Sequence, residues 1–120
     1  MKKTIEIFKA LADKTRLRIL KLLLRKELCV CELVEILQLP QYHISRHLGT
    51  LKRVRLVNDR REGTWMYYSV APSDNEAIRE LMKLLDTCVT DEVLEEDLAR
   101  AEKRLSRRVR GKCVLGYEAK

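Results

Sequence analysis

Cys29 and Cys31 stand one residue apart in ELCVCEL (27–33), where a helical pattern begins. Thiolates are soft metal ligands and are also readily oxidised, so the pair points either to soft-ion binding or to redox chemistry. A thiol oxidoreductase would want C-x-x-C beside a βαβ pattern, and the sequence offers neither. On a regular helix residues i and i+2 lie about 200° apart, so both side chains are expected to reach one ion only if the first turn is loosened. Cys88 and Cys113 are the candidates for a third donor. Cys88 falls on an apolar stripe, where a cysteine is ordinarily a small buried hydrophobe. Cys113, in RGKCVLGYEAK, has Lys and Arg neighbours expected to lower its pKa.

A second group of residues suits a polyanion. Twenty-five Lys and Arg against 18 Asp and Glu give a net charge of +7, and the excess is concentrated in RHLGTLKRVRLVNDRR (46–61) and RAEKRLSRRVRGK (100–112), whereas DEVLEED (91–97) is acidic. Basic stretches of this kind neutralise phosphates and release counterions. Gln41, Tyr42, His43, Ser45, Arg46 and Lys52 are the candidates for a DNA groove, where Gln pairs with adenine and Arg with guanine. Arg60, Arg61 and Thr64 are candidates for phosphate or minor-groove contacts.

The elements that must position these residues are mostly helical. ADKTRLRILKLLL (12–24) opens with Asp13 as an N-cap and carries Leu17, Leu20 and Leu24 on one face. VCELVEIL (30–37) forms a shorter helix, QLPQ breaks it, and QYHISRHLGTLKRV (41–54) buries Ile44, Leu48, Leu51 and Val54 while leaving a polar, basic face. Two helices joined by so short a turn fit a helix-turn-helix. VNDRREGTWMYYSV (57–70) reads as two strands around Glu62-Gly63, a wing. After Pro72 a helical pattern over Asp74–Arg108 carries Ile78, Leu81, Leu85, Cys88, Leu98, Ala101 and Leu105. Read as one helix it would be about 50 Å long, and a second subunit would be needed to cover its stripe. The fold class is therefore mainly α with a β-hairpin wing: a winged helix-turn-helix over 1–110 with a long C-terminal dimerisation helix, and a tail, 111–120, carrying Cys113. With 46% hydrophobic and 36% charged residues the composition is that of a globular chain. No run approaches the roughly 20 apolar residues of a membrane span, so a cytoplasmic protein without membrane attachment is expected. No arrangement of nucleophile, base and orienting group suggests an enzyme.

FKALADKTRLRILKLL, ELCVCEL and ISRHLGTLKRVRLV resemble the ArsR/SmtB family of winged-helix metal-sensing repressors, and ELCVCEL resembles its arsenic- and cadmium/lead-sensing members in particular. The resemblance implies a homodimer that binds an inverted-repeat operator in double-stranded DNA and lets go when a metal arrives. It departs from the family at Pro40, where a serine usually caps the recognition helix; at Val34, where arsenic sensors carry a third cysteine; and before Cys29, where cadmium/lead sensors supply further thiolates. The implied inducer is arsenite, a pyramidal centre that prefers three thiolates, with Sb(III), Cd(II) and Pb(II) as alternatives and thiol oxidation as another. Cys29, Cys31 and Cys113 form the expected ligand set, with Cys113 from either subunit and Cys88 as its alternative. Neither His43 nor His47 is expected to bind metal, and a C-terminal helix without histidine argues against the family's interfacial zinc site.

Overall fold

The computed structural model describes residues 1–111 and Cys113. Its elements run α1 (Lys2–Leu11), α2 (Lys14–Leu23), β1 (Leu28–Cys29), α3 (Val30–Leu37), α4 (Gln41–Arg53), β2 (Val57–Glu62), β3 (Trp65–Val70), α5 (Glu76–Thr87) and α6 (Glu92–Leu105). The Asp13 side chain caps α2, accepting from the Arg16 N–H at 3.0 Å. Ile19 and Leu20 of α2, Leu33 and Ile36 of α3, and Ile44, Leu48 and Leu51 of α4 are fully buried and form the centre of the core. The expected helix-turn-helix and hairpin are present, with the turn at Gly63-Thr64, where Gly63 adopts φ 62°.

β1 is the element that sequence patterning misses. Two residues cannot show an alternation, yet they pair antiparallel with β3 and complete a three-stranded sheet in the order β1-β3-β2. The long C-terminal helix is also corrected, because α5 ends at Thr87 and α6 begins afresh at Glu92. Thr87, Val89 and Thr90 are poor helix formers, and Asp91, in an extended conformation, caps the new helix by accepting from the Leu94 N–H at 2.9 Å. α6 packs on α2 and α3 in the same chain, so the covering of its stripe needs no second subunit. A bidentate ion pair from Arg18 to the buried Asp97, at 2.8 Å on both oxygens, fixes α6 to α2. The large apolar side chains exposed among the described residues are Met1, Ile5 and Phe8 at the N-terminal end, Tyr42 of α4, Leu84 of α5 and Val109 after α6.

Pro40 is the N-cap residue of α4 rather than its first helical residue, and it supplies no side-chain hydrogen bond to the helix start. The chain enters that cap through Gln38, which ends α3 in the left-handed conformation at φ 57° and ψ 42°. A residue with a Cβ is disfavoured there by about 1 kcal/mol, and glycine is not. Gln38→Gly is accordingly expected to raise stability by up to about 1 kcal/mol, read as a rise in the thermal midpoint; an unchanged or lowered midpoint would show that Gln38 makes a compensating contribution.

Candidate metal centre

Cys29 is not part of a helix. It ends β1 and serves as the N-cap of α3 with φ −84° and ψ 162°, so its side chain leaves the backbone in a direction unlike that of a helical residue. The Cys29 and Cys31 sulfurs lie 2.7 Å apart without any loosening of the first turn, which corrects the expectation drawn from helical spacing. Cys113 joins them from the same chain, 3.1 Å from the Cys31 sulfur. All three sulfurs lie within 4.8 Å of one another and all three residues are buried. Three sulfurs about 2.3 Å from one pyramidal ion stand roughly 3.4 Å apart, so the three sulfurs are close enough to share one ion and the pairs at 2.7 and 3.1 Å would have to spread to hold it. Cys88 is excluded from the cluster and, contrary to expectation, is exposed, because it terminates α5 instead of continuing an apolar stripe.

The pocket is closed by Tyr67, 2% exposed, with Trp65 packed beside it. The Tyr67 hydroxyl accepts from the Cys113 N–H at 2.9 Å. Glu32, fully buried, accepts from the Cys29 N–H at 2.9 Å and from both Arg108 Nε and Nη2, at 2.7 and 2.6 Å. Arg108 donates in addition to the Glu27 carbonyl, and Arg104 donates to the Cys113 sulfur at 3.5 Å. Hydrogen bonding to Cys31 and burial together push the Cys29 thiol well above its ordinary value. Burial, then the hydrogen bond with Cys29, also pushes Cys113 up, which reverses the lowering expected from its basic neighbours in the sequence. Burial works against the charge on Glu32, but the bonds from Arg108 and Cys29 and the fields of Arg108 and Arg104 outweigh it and hold this carboxyl below the usual range.

The DNA-contact candidates divide by element. Gln41, Tyr42, Ser45 and Arg46 are exposed along one side of α4, Tyr42 at 74%, while His43 is half-buried. His47 is buried against Arg16, whose guanidinium approaches the ring at 3.1 Å. Lys52 is exposed but pairs with Asp59 of β2 at 2.8 Å. Arg61 and Thr64 are exposed on the hairpin. Arg60 is exposed too, but its guanidinium is held by Glu27 through two bonds of 2.8 Å. Sequence reading missed Glu27, Glu32, Tyr67, Arg104 and Arg108. Only Glu32 carried a local signal, since an acid three residues after an N-cap is one half of a capping box.

Residues 13–59 match the model of a family described as bacterial regulatory protein, arsR family. The chain is 45% identical over 85 residues to an uncharacterized HTH-type transcriptional regulator, MJ1325, of Methanocaldococcus jannaschii, covering 70% of this chain and 92% of that one. It is 48% identical over 69 residues to the arsenical resistance operon repressor of Escherichia coli, covering 57% of this chain and 59% of that one. Among solved structures it resembles a homodimeric winged helix-turn-helix DNA-binding domain, Mb0332, from Mycobacterium bovis, with 34% identity, a TM-score of 0.62, and 70% and 75% of the two chains covered. No helix among the described residues is long and apolar enough to cross a membrane.

Glu32→Gln keeps the shape but leaves the Arg108 guanidinium without its counter-charge, while Arg104 keeps Glu35 at 3.0 Å, and is expected to cost about 3 kcal/mol in urea unfolding. Because the folded carboxyl lies below its unfolded value, that stability is complete above the unfolded carboxylate range and is lost as pH falls through the folded value. The native protein should therefore lose more stability on acidification than the variant, and equal losses would remove Glu32 from this role.

Proposed function

The chain belongs to the ArsR family of bacterial regulatory proteins, winged helix-turn-helix regulators of transcription that bind DNA and are not enzymes, and from that premise we propose that it is an arsenite-responsive repressor. The observation that carries this reading is the convergence of three buried thiols, Cys29, Cys31 and Cys113, at the start of the helix that supports α4. Arsenite or antimonite would be held by these three sulfurs. Trihydroxy-arsenic exchanging its hydroxyls for three thiols releases three waters and leaves no net charge, which suits a buried site where Cys29, through its hydrogen bond with Cys31 and burial, and Cys113, through burial, are both pushed above the ordinary thiol value. Cadmium or lead would have to displace protons into solvent and bury charge. The name of the Escherichia coli relative, which speaks of arsenical resistance, agrees with the choice.

The polar side of α4, with Gln41, Tyr42, His43, Ser45 and Arg46, would enter the major groove, with Lys52, Arg60, Arg61 and Thr64 on flanking backbone. A homodimer would set two such helices about 34–36 Å apart on an inverted repeat. Its natural contact surface is the apolar groove between α1 and α5, lined by Ile7, Phe8, Ile78, Leu81 and Leu84, and the Mycobacterium bovis relative is described as homodimeric. Seating one ion among sulfurs 2.7 and 3.1 Å apart spreads them and displaces the N-cap of α3, and α3 packs on α4. An ion that binds the altered state more tightly by about 5.5 kcal/mol shifts occupancy from 99:1 to 1:99.

Fluorescence anisotropy of a labelled duplex, selected by the purified protein from a randomised pool, tests the function. Arsenite at one ion per subunit is expected to release the DNA from the reduced protein. Cys29→Ser, Cys31→Ser and Cys113→Ser should each abolish release, and Cys88→Ser should leave it intact. Release by cadmium, lead or peroxide but not by arsenite would replace the inducer. For the dimer, Phe8→Glu is expected to shift sedimentation from dimer to monomer; a native protein that sediments as a monomer would overturn the assembly.

A further inference from the structure

Cys29, Tyr67 and Arg60 stand directly opposite one another on the three strands, Cys29 against Tyr67 and Tyr67 against Arg60. Opposed residues of an antiparallel sheet project from the same face, so the three form a row from the thiol cluster to an exposed arginine of the wing. The contacts along it are specific. Tyr67 holds the Cys113 backbone through its hydroxyl, and the Arg60 guanidinium lies 4.6 Å from the centroid of its ring. Glu27, two residues before Cys29, takes Arg60 from the other side with both carboxylate oxygens. Arg108, which anchors Glu32, also donates to the Glu27 carbonyl and lies 5.8 Å from the Tyr67 ring centroid. Two of the three groups that seat Arg60, Tyr67 and Glu27, are thus bonded to one of the three cysteines or lie close to one in the chain; the third, Glu62 of its own strand, accepts from the guanidinium at 3.1 Å. Arg61, the next residue along β2, projects from the opposite face and stands outside the row.

We propose that Tyr67 is a positioning residue that couples the three-thiol site to the wing, so that occupancy of the site changes the seat of Arg60 and with it the wing's contact with DNA. The proposal rests on the reading of the three thiols as an ion site. Spreading sulfurs that lie 2.7 and 3.1 Å apart around a common centre moves Cys29, paired with Tyr67, and Cys113, bonded to it. Close packing around a side chain only 2% exposed leaves the ring no room to stay still while both neighbours move. Arg60 then loses or gains its stacking surface and its alignment with Glu27. The wing becomes a second outlet of the site beside α4, and linkage requires that DNA in turn alters ion affinity by the same factor.

The test compares DNA affinity, by anisotropy, with and without saturating arsenite, while calorimetry on the protein alone records arsenite binding. Arg60→Lys keeps a charge for phosphate but neither the fork for Glu27 nor the planar stack on Tyr67. Its own DNA affinity without arsenite serves as its baseline; it is expected to bind arsenite at the native stoichiometry and to show a DNA-release factor, taken against that baseline, at least ten-fold smaller. Tyr67→Phe keeps the ring but loses the hydroxyl, and should reduce the factor likewise. Arg61→Lys, the control on the opposite face, should keep the native factor. If Arg60→Lys and Tyr67→Phe both retain the native factor while binding arsenite, the coupling is overturned and the ion site stands. If the native protein gives no arsenite heat, the ion site falls and the coupling falls with it.

Discussion

A buried carboxylate organises this molecule. Glu32 has no exposed surface, and an isolated charge so placed would be costly enough to unfold a small domain, so the chain must bring it partners. Those partners come from opposite ends of the sequence. The Cys29 N–H binds it from within its own turn, and Arg108 binds it with two donors from 76 residues away. The first bond fixes Cys29 as an N-cap, and the second brings the segment after α6 back across the start of α3, which is where Cys113 meets the other two thiols. The convergence of the sulfurs is in this sense a consequence of neutralising Glu32. The three sulfurs are held together by the protein's own bonds, and a cluster assembled in this way is preorganised.

The parts of the fold legible in the sequence were those determined within one or two turns of chain. Asp13 before an apolar stripe, the Pro40 break and the Gly63 turn each act locally, and α2, α3, α4 and the hairpin lie where those signals put them. What was not legible depended on partners far along the chain. β1 is too short to show a pattern and exists because β3 has an edge to pair with. The C-terminal stripe continued at helical spacing through Cys88, but spacing alone does not register that Thr87, Val89, Thr90 and Asp91 favour an end and a new start.

The candidate site was half legible for the same reason. Residue type drew attention to the cysteines, but it left Cys88 beside Cys113 as the third member of the set, and only the fold separates the exposed Cys88 from the buried Cys29, Cys31 and Cys113. Their geometry and acidity were read wrongly, because both belong to the environment. A helical wheel places Cys29 and Cys31 on opposite faces only if both are helical, and the extended conformation of Cys29 removes that premise. Basic neighbours in sequence suggested an acidic thiol at Cys113, but its spatial surroundings are Tyr67 and two other thiols, and burial in that company raises it.

Cys29 is therefore a junction. One residue both ends a strand of the wing's sheet and starts the helix on which α4 rests. A displacement at such a position cannot be confined to one element, since the backbone hydrogen bonds of β1 and the cap of α3 share the same peptide groups. A regulator with its ligand in the middle of a helix would bias that helix alone. A strand-to-helix junction passes a displacement to the hairpin sheet and to α3 together, and the link between the two comes from the position of Cys29 in the chain and not from any added contact.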